Sequence, residues 1–101
     1  MRKGTTPTHT FELEEFDTSL IKTIKISYLQ RDRTVLVRRM EDCVITSNSI
    51  STKLSQEDTF LFDGNSLVTI LIRILTKDGE ALSSEPIVLS VGKCLDDEVL
   101  T

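Results

Sequence analysis

The chain is predicted to be all-β, a two-sheet Greek-key sandwich of about seven short strands with one or two single helical turns. Three observations predict it. The stretch from Leu67 to Val91 reads as a long strand, a tight turn at Asp78-Gly79 and a returning strand. Short runs of alternating apolar and polar residues recur elsewhere, with turn signals every eight to twelve residues. Almost no stretch carries the 3.6-residue period of a helix.

Met1–Pro7 (Met-Arg-Lys-Gly-Thr-Thr-Pro) has no period and is expected to be a flexible lead. The sandwich is expected over residues 8–92. Thr8 to Glu14 alternates, with Phe11 and Leu13 inward, as a first, edge strand. His9 is expected to sit at a solvated strand end. Asp17-Thr18-Ser19 forms a capped turn in which the carboxylate accepts backbone N–H bonds. Lys22 to Gln30 is a central strand with Ile24, Ile26 and Tyr28 inward, and the Tyr28 hydroxyl needs a partner if buried. Arg31-Asp32-Arg33 makes a polar turn. Thr34 to Met40 then sets Val35 and Val37 on one face and Leu36, Arg38 and Met40 on the other.

Beyond a corner at Glu41-Asp42, Cys43–Thr46 and Ser49–Leu54 read as a second hairpin, with Ile50, Thr52 and Leu54 on one face. Ser55-Gln56-Glu57-Asp58 is a helix start: a serine cap, acids in the first turn and an acid three residues after the cap. Phe60 and Phe62 then plug one end of the core. In the long strand, Val68, Ile70, Ile72 and Ile74 share the core face. An Asp78-Gly79 turn sets Lys77 opposite Glu80, Ile87 opposite Ile70 and Leu89 opposite Val68, so the apolar rows coincide. Pro86 cannot donate to a ladder, and a bulge or unpaired edge is expected there. Residues 93–101 form an acidic tail, in which Leu95, Val99 and Leu100 stand at the spacing of a short amphipathic turn.

At 101 residues the chain is one domain. A net charge of -4 argues against nucleic-acid binding, which needs a basic surface. No apolar run is long enough for a membrane span, and no signal-peptide core follows Met1-Arg2-Lys3, so the expected location is intracellular. Cys43 and Cys94 are expected to be free thiols. No metal site, cofactor site or small-molecule substrate is indicated. Phosphate loops, nucleophile elbows and His/Cys clusters are missing, and no catalytic residue is assigned.

Two features stand out as candidate partner surfaces. Leu67, Leu71 and Leu75 lie on the supposed outer face of the long strand, covered either by the chain's own segments or by another subunit. Arg31, Arg33, Arg38 and Arg39 are the chain's basic concentration. They form either a solvated strand face and turn, or an anionic partner surface or a seat for the acidic tail.

The segment Leu54-Ser55-Gln56-Glu57-Asp58-Thr59-Phe60-Leu61-Phe62 resembles the corner before the sixth strand of immunoglobulin-like and fibronectin-like sandwiches. Phe62 stands where those families usually carry tyrosine, so the hydroxyl bond of that corner is missing. There is no tryptophan. Over most of its length the chain also resembles small prophage-encoded proteins found beside virion structural genes. The resemblance is carried by Thr6-Pro7-Thr8-His9-Thr10-Phe11, Phe16-Asp17-Thr18-Ser19, Leu54-Ser55-Gln56-Glu57-Asp58-Thr59, Ile72-Arg73-Ile74-Leu75-Thr76-Lys77-Asp78-Gly79 and Ser90-Val91-Gly92-Lys93-Cys94-Leu95. It implies a non-catalytic structural or assembly protein of a tail or head, in the bacterial cytoplasm or the phage particle. Its partners would be other protein subunits or further copies of itself. The competing expectation is a sandwich that binds carbohydrate or a cell-surface ligand.

Overall fold

Two antiparallel sheets carry the chain, as the alternation predicts. The structure is a computed structural model that describes residues 1–101. The strands are β1 (Thr8–Glu12), β2 (Ile21–Gln30), β3 (Arg33–Arg39), β4 (Cys43–Ile45), β5 (Ser49–Lys53), β6 (Ser66–Thr76), β7 (Ala81–Ser83) and β8 (Ile87–Val91). The smaller sheet has the order β1-β5-β4. The larger has the order β3-β2-β6, with β7 and β8 both pairing with β6. The expected seven strands become eight because the returning strand is split in two.

The core lies between the sheets. Ile24, Ile26 and Tyr28 of β2 and Val68, Ile70, Ile72 and Ile74 of β6 are buried against Ile50, Leu54 and Phe62. Strand alternation accounts for this: each apolar row of β2 and β6 lies on one face of its strand, and that face is turned to the smaller sheet. One helical turn, α1 (Gln56–Phe60), closes one end. The Ser55 hydroxyl accepts from the Asp58 N–H at 3.1 Å and the Asp58 carboxylate accepts from the Ser55 N–H at 2.9 Å. Two three-residue 3-10 turns, Thr18–Leu20 and Met40–Asp42, complete the helical content.

The hairpin register holds in its upper half, where Ile70 faces Ile87 and Val68 faces Leu89. Near the tip it differs by one residue. Leu75 faces Ala81, so Thr76 faces Glu80 and the loop is Lys77-Asp78-Gly79; Lys77 does not face Glu80. Gly79, at φ +89°, occupies the left-handed position that a three-residue loop of this kind requires. Thr76 donates to the Asp78 carboxylate within the loop and accepts from the Glu80 N–H at 2.9 Å. The one-residue offset is absorbed at Glu85-Pro86, between β7 and β8, where the sequence places a bulge. A second bulge, at Val35, separates that residue from Val37: Tyr28 pairs with Leu36 but Leu29 pairs with Thr34.

Met1–Pro7 is not the loose lead that its composition suggests. Its backbone runs parallel to the end of β8, with Lys3 N–H donating to Gly92 C=O at 3.0 Å and Gly92 N–H to Met1 C=O at 2.6 Å. The fully buried Thr59 hydroxyl donates to Thr5 C=O and accepts from Gly4 N–H, each at 3.0 Å. The acidic tail forms no helical turn. Instead the Gln56 amide holds the Leu100 backbone through two bonds of 2.9 and 3.0 Å. Every buried side-chain nitrogen and oxygen has a partner.

Candidate functional site

The outer face of the larger sheet is built by residues that alternate with the core rows. Register places Val37, Ser27 and Leu71 in one cross-strand row, and Leu29, Thr69 and Val88 in the next; Leu67 faces Ser90 beyond them. None of the five apolar residues in this group packs on the core. Leu67 is 61% exposed and Val88 56%, while Leu29, Val37 and Leu71 are half-buried. At Leu67 and Val88 the patch is open to solvent. Leu67, Leu71 and Leu75 do share this face. Leu75 sits apart near Thr23 and Ala81, beyond a polar row.

That polar row is formed by Arg39, Lys25 and Arg73, side by side on three adjacent strands. Adjacent strands lie about 4.8 Å apart, so three cations occupy about 10 Å. Like charges set opposite each other on a sheet destabilise it. No carboxylate relieves them: the chain's two ion pairs are Arg31–Asp63 and Arg38–Asp58. The face therefore offers apolar contact bordered by uncompensated positive charge. Lys25 and Arg73 are missed by sequence reading because neither belongs to a run of basic residues in its own strand. Only strand pairing brings them beside Arg39.

The four arginines singled out by sequence do not form one surface. Arg38 points inward and ties the sheets together. Its Nε donates to the Thr52 hydroxyl at 3.3 Å, its Nη2 to Lys53 C=O at 3.2 Å, and its Nη1 lies 3.6 Å from the Asp58 carboxylate. It is a structural residue and is withdrawn from the candidate surface. Arg31, in the tight β2–β3 turn, pairs with Asp63 at 3.3 Å in solvent. With Arg33 it lines an open hollow of about 680 Å³ that also contains Gln30 and Leu61. Of the four, Arg39 alone joins the outer face. The acidic tail makes no ion pair with any of them.

His9 is half-buried, contrary to its expected solvated position. Its Nδ1 lies 2.7 Å from the Tyr28 hydroxyl, the partner that the buried tyrosine requires. The tautomer with its proton on Nε2 accepts the phenol proton at Nδ1, and the other tautomer donates to the phenol oxygen. Burial, then the positive N-terminus, hold the His9 imidazole below its usual pKa, and burial raises the Tyr28 phenol. Cys43 and Cys94 are free thiols. Burial first, then the neighbouring Asp42, push the Cys43 thiol upward, which disfavours its nucleophilic form. No group of three or more His, Cys, Asp or Glu residues is placed to hold a metal ion. No helix is long and apolar enough to cross a membrane.

Compared with known proteins, the chain matches no family model, no curated protein and no solved structure.

Proposed function

We propose that the chain is a non-catalytic structural or assembly protein that works by protein–protein contact through the outer face of its larger sheet. The observation that carries this reading is the uncovered apolar patch of Leu29, Val37, Leu67, Leu71 and Val88 beside three unpaired cations. Such a face fits a partner surface whose apolar side chains meet the patch and whose carboxylates meet Lys25, Arg39 and Arg73. We further propose that the sandwich is an immunoglobulin-like Greek key lacking a first outer strand. The sheet orders β1-β5-β4 and β3-β2-β6-β8 support this, as does the parallel pairing of the lead with the end of β8. The resemblance of pattern to small prophage-encoded proteins points to a tail or head component, in the bacterial cytoplasm or the particle. A carbohydrate-binding or adhesive role ranks below this, because no aromatic ring is among the exposed large apolar side chains.

The test is a photoreactive residue at position 67 or 88 in cells that express the chain with its genomic neighbours. A discrete adduct to one partner is expected, and it should be lost when Lys25→Glu and Arg73→Glu reverse the charge row. Adducts to no protein, or adducts indifferent to that reversal, would sink the reading.

A further inference from the structure

A second contact site, separate from the outer face, lies along the seam between the sheets. β1 pairs only with β5. Leu13 N–H donates to Asn48 C=O and Leu54 N–H donates to Pro7 C=O, so the odd-numbered residues of β1 turn their backbone groups toward β5. The N–H and C=O groups of Thr8, Thr10 and Glu12 therefore point away from the sheet and have no partner in the chain. Beside this open edge runs a groove of about 500 Å³, walled by Phe11 and Leu13 on one side and by Ile70, Ile72, Ile87 and Leu89 on the other. It continues past Leu13 and Ile72 into a hollow of about 290 Å³ that reaches Phe16 and Leu82. Ser84, at the break between β7 and β8, lines both hollows. At one end Glu14 and Glu15 stand beside Glu12, none of them in an ion pair.

We propose that this seam receives an extended segment of another polypeptide, which adds to β1 as a strand. The exposed row of backbone donors and acceptors demands a β-strand, and the groove demands apolar side chains at every second position. The acidic end demands lysine or arginine there. The occupant is thus an alternating aliphatic segment with a basic end. A second copy of this chain does not supply it. Its alternating stretches with basic residues, β2, β3, β5 and β6, already commit their inward apolar side chains to its own core, its tail is acidic, and its lead is pinned to β8 and Thr59.

The probe is a synthetic peptide, Thr-Val-Thr-Ile-Thr-Val-Lys-Arg, added to the intact chain, with amide hydrogen exchange read by NMR. Saturating peptide is expected to slow exchange at Thr8, Thr10 and Glu12 at least tenfold. N-methylation of alternate peptide amides should weaken binding at least tenfold, and Glu14→Lys with Glu15→Lys should weaken it several-fold. Failure to bind at millimolar peptide, or binding that leaves those three amides unprotected, would overturn the proposal. So would protection that rises with chain concentration alone, because the edge would then be closed by a second copy. None of these results bears on Leu67 or Val88, so this site and the outer face stand or fall separately.

Discussion

His9 and Tyr28 show how one buried contact ties stability to pH. The folded chain favours the neutral imidazole, because burial and then the positive N-terminus disfavour the charge. The folded pKa is therefore below the unfolded value of about 6.5. The unfolded state binds the proton more readily, so this contribution is complete above about pH 6.5 and is lost as pH falls toward the folded pKa. Chemical denaturation midpoints should fall between neutral and mildly acidic pH, and His9→Gln should flatten that part of the profile. An unchanged slope in the variant would mean that another group titrates there. Asp17 and Asp78, both held low chiefly by side-chain hydrogen bonds, add their own losses only in stronger acid. Arg38 makes a different case. Arg38→Met leaves Asp58 without its cation and removes the bonds to Thr52 and Lys53, and a loss of about 1.5–3 kcal/mol is expected in denaturant titration. Neither pairing is readable from sequence: Asp58 belongs to α1, twenty residues along the chain from Arg38, and His9 belongs to a different sheet from Tyr28.

Among the secondary-structure elements, the two tight turns place opposite demands on their residues. Gly79 sits at φ +89° with open space around its missing side chain, so Gly79→Ala costs only backbone strain, about 1 kcal/mol. The β2–β3 turn instead places Arg31 at φ 51° and Asp32 at φ 62°. Asp32→Gly relieves that strain and should stabilise by about 0.5–1 kcal/mol. Thermal midpoints of the two variants should move in opposite directions. The core rows of β2, β5 and β6 were legible because alternation alone assigns each side chain to a face. The capped α1 was legible because Ser55 and Asp58 are local to it. The loop at Gly79 was misread because a two-residue and a three-residue turn share the Asp-Gly signal, and only the ladder decides between them.

At the scale of the whole molecule, the apolar outer face of the larger sheet and the β1 edge beside the seam are the two open surfaces lined by apolar side chains. Substituting the face should separate folding from assembly. Leu67→Lys with Leu71→Lys removes no core contact, so stability should change by no more than about 0.5 kcal/mol while the cross-linked partner is lost. A cooperative unfolding curve with an unchanged midpoint checks the first half of that expectation. Lys25→Gln should raise the midpoint slightly and lessen its dependence on salt, because it removes the middle charge of three. The face was only half legible: three leucines marked it, but their neighbours Leu29, Val37 and Val88 come from other strands. The extra residue stored at Glu85-Pro86 has a further consequence. It works like a slip joint between the tip of the last hairpin and its base. Trimming or lengthening the Lys77–Gly79 loop can be taken up at that joint, leaving Leu67 and Val88 where a docking protein would find them. Variation in the tip is thereby mechanically decoupled from the base of the hairpin, where the proposed contact lies.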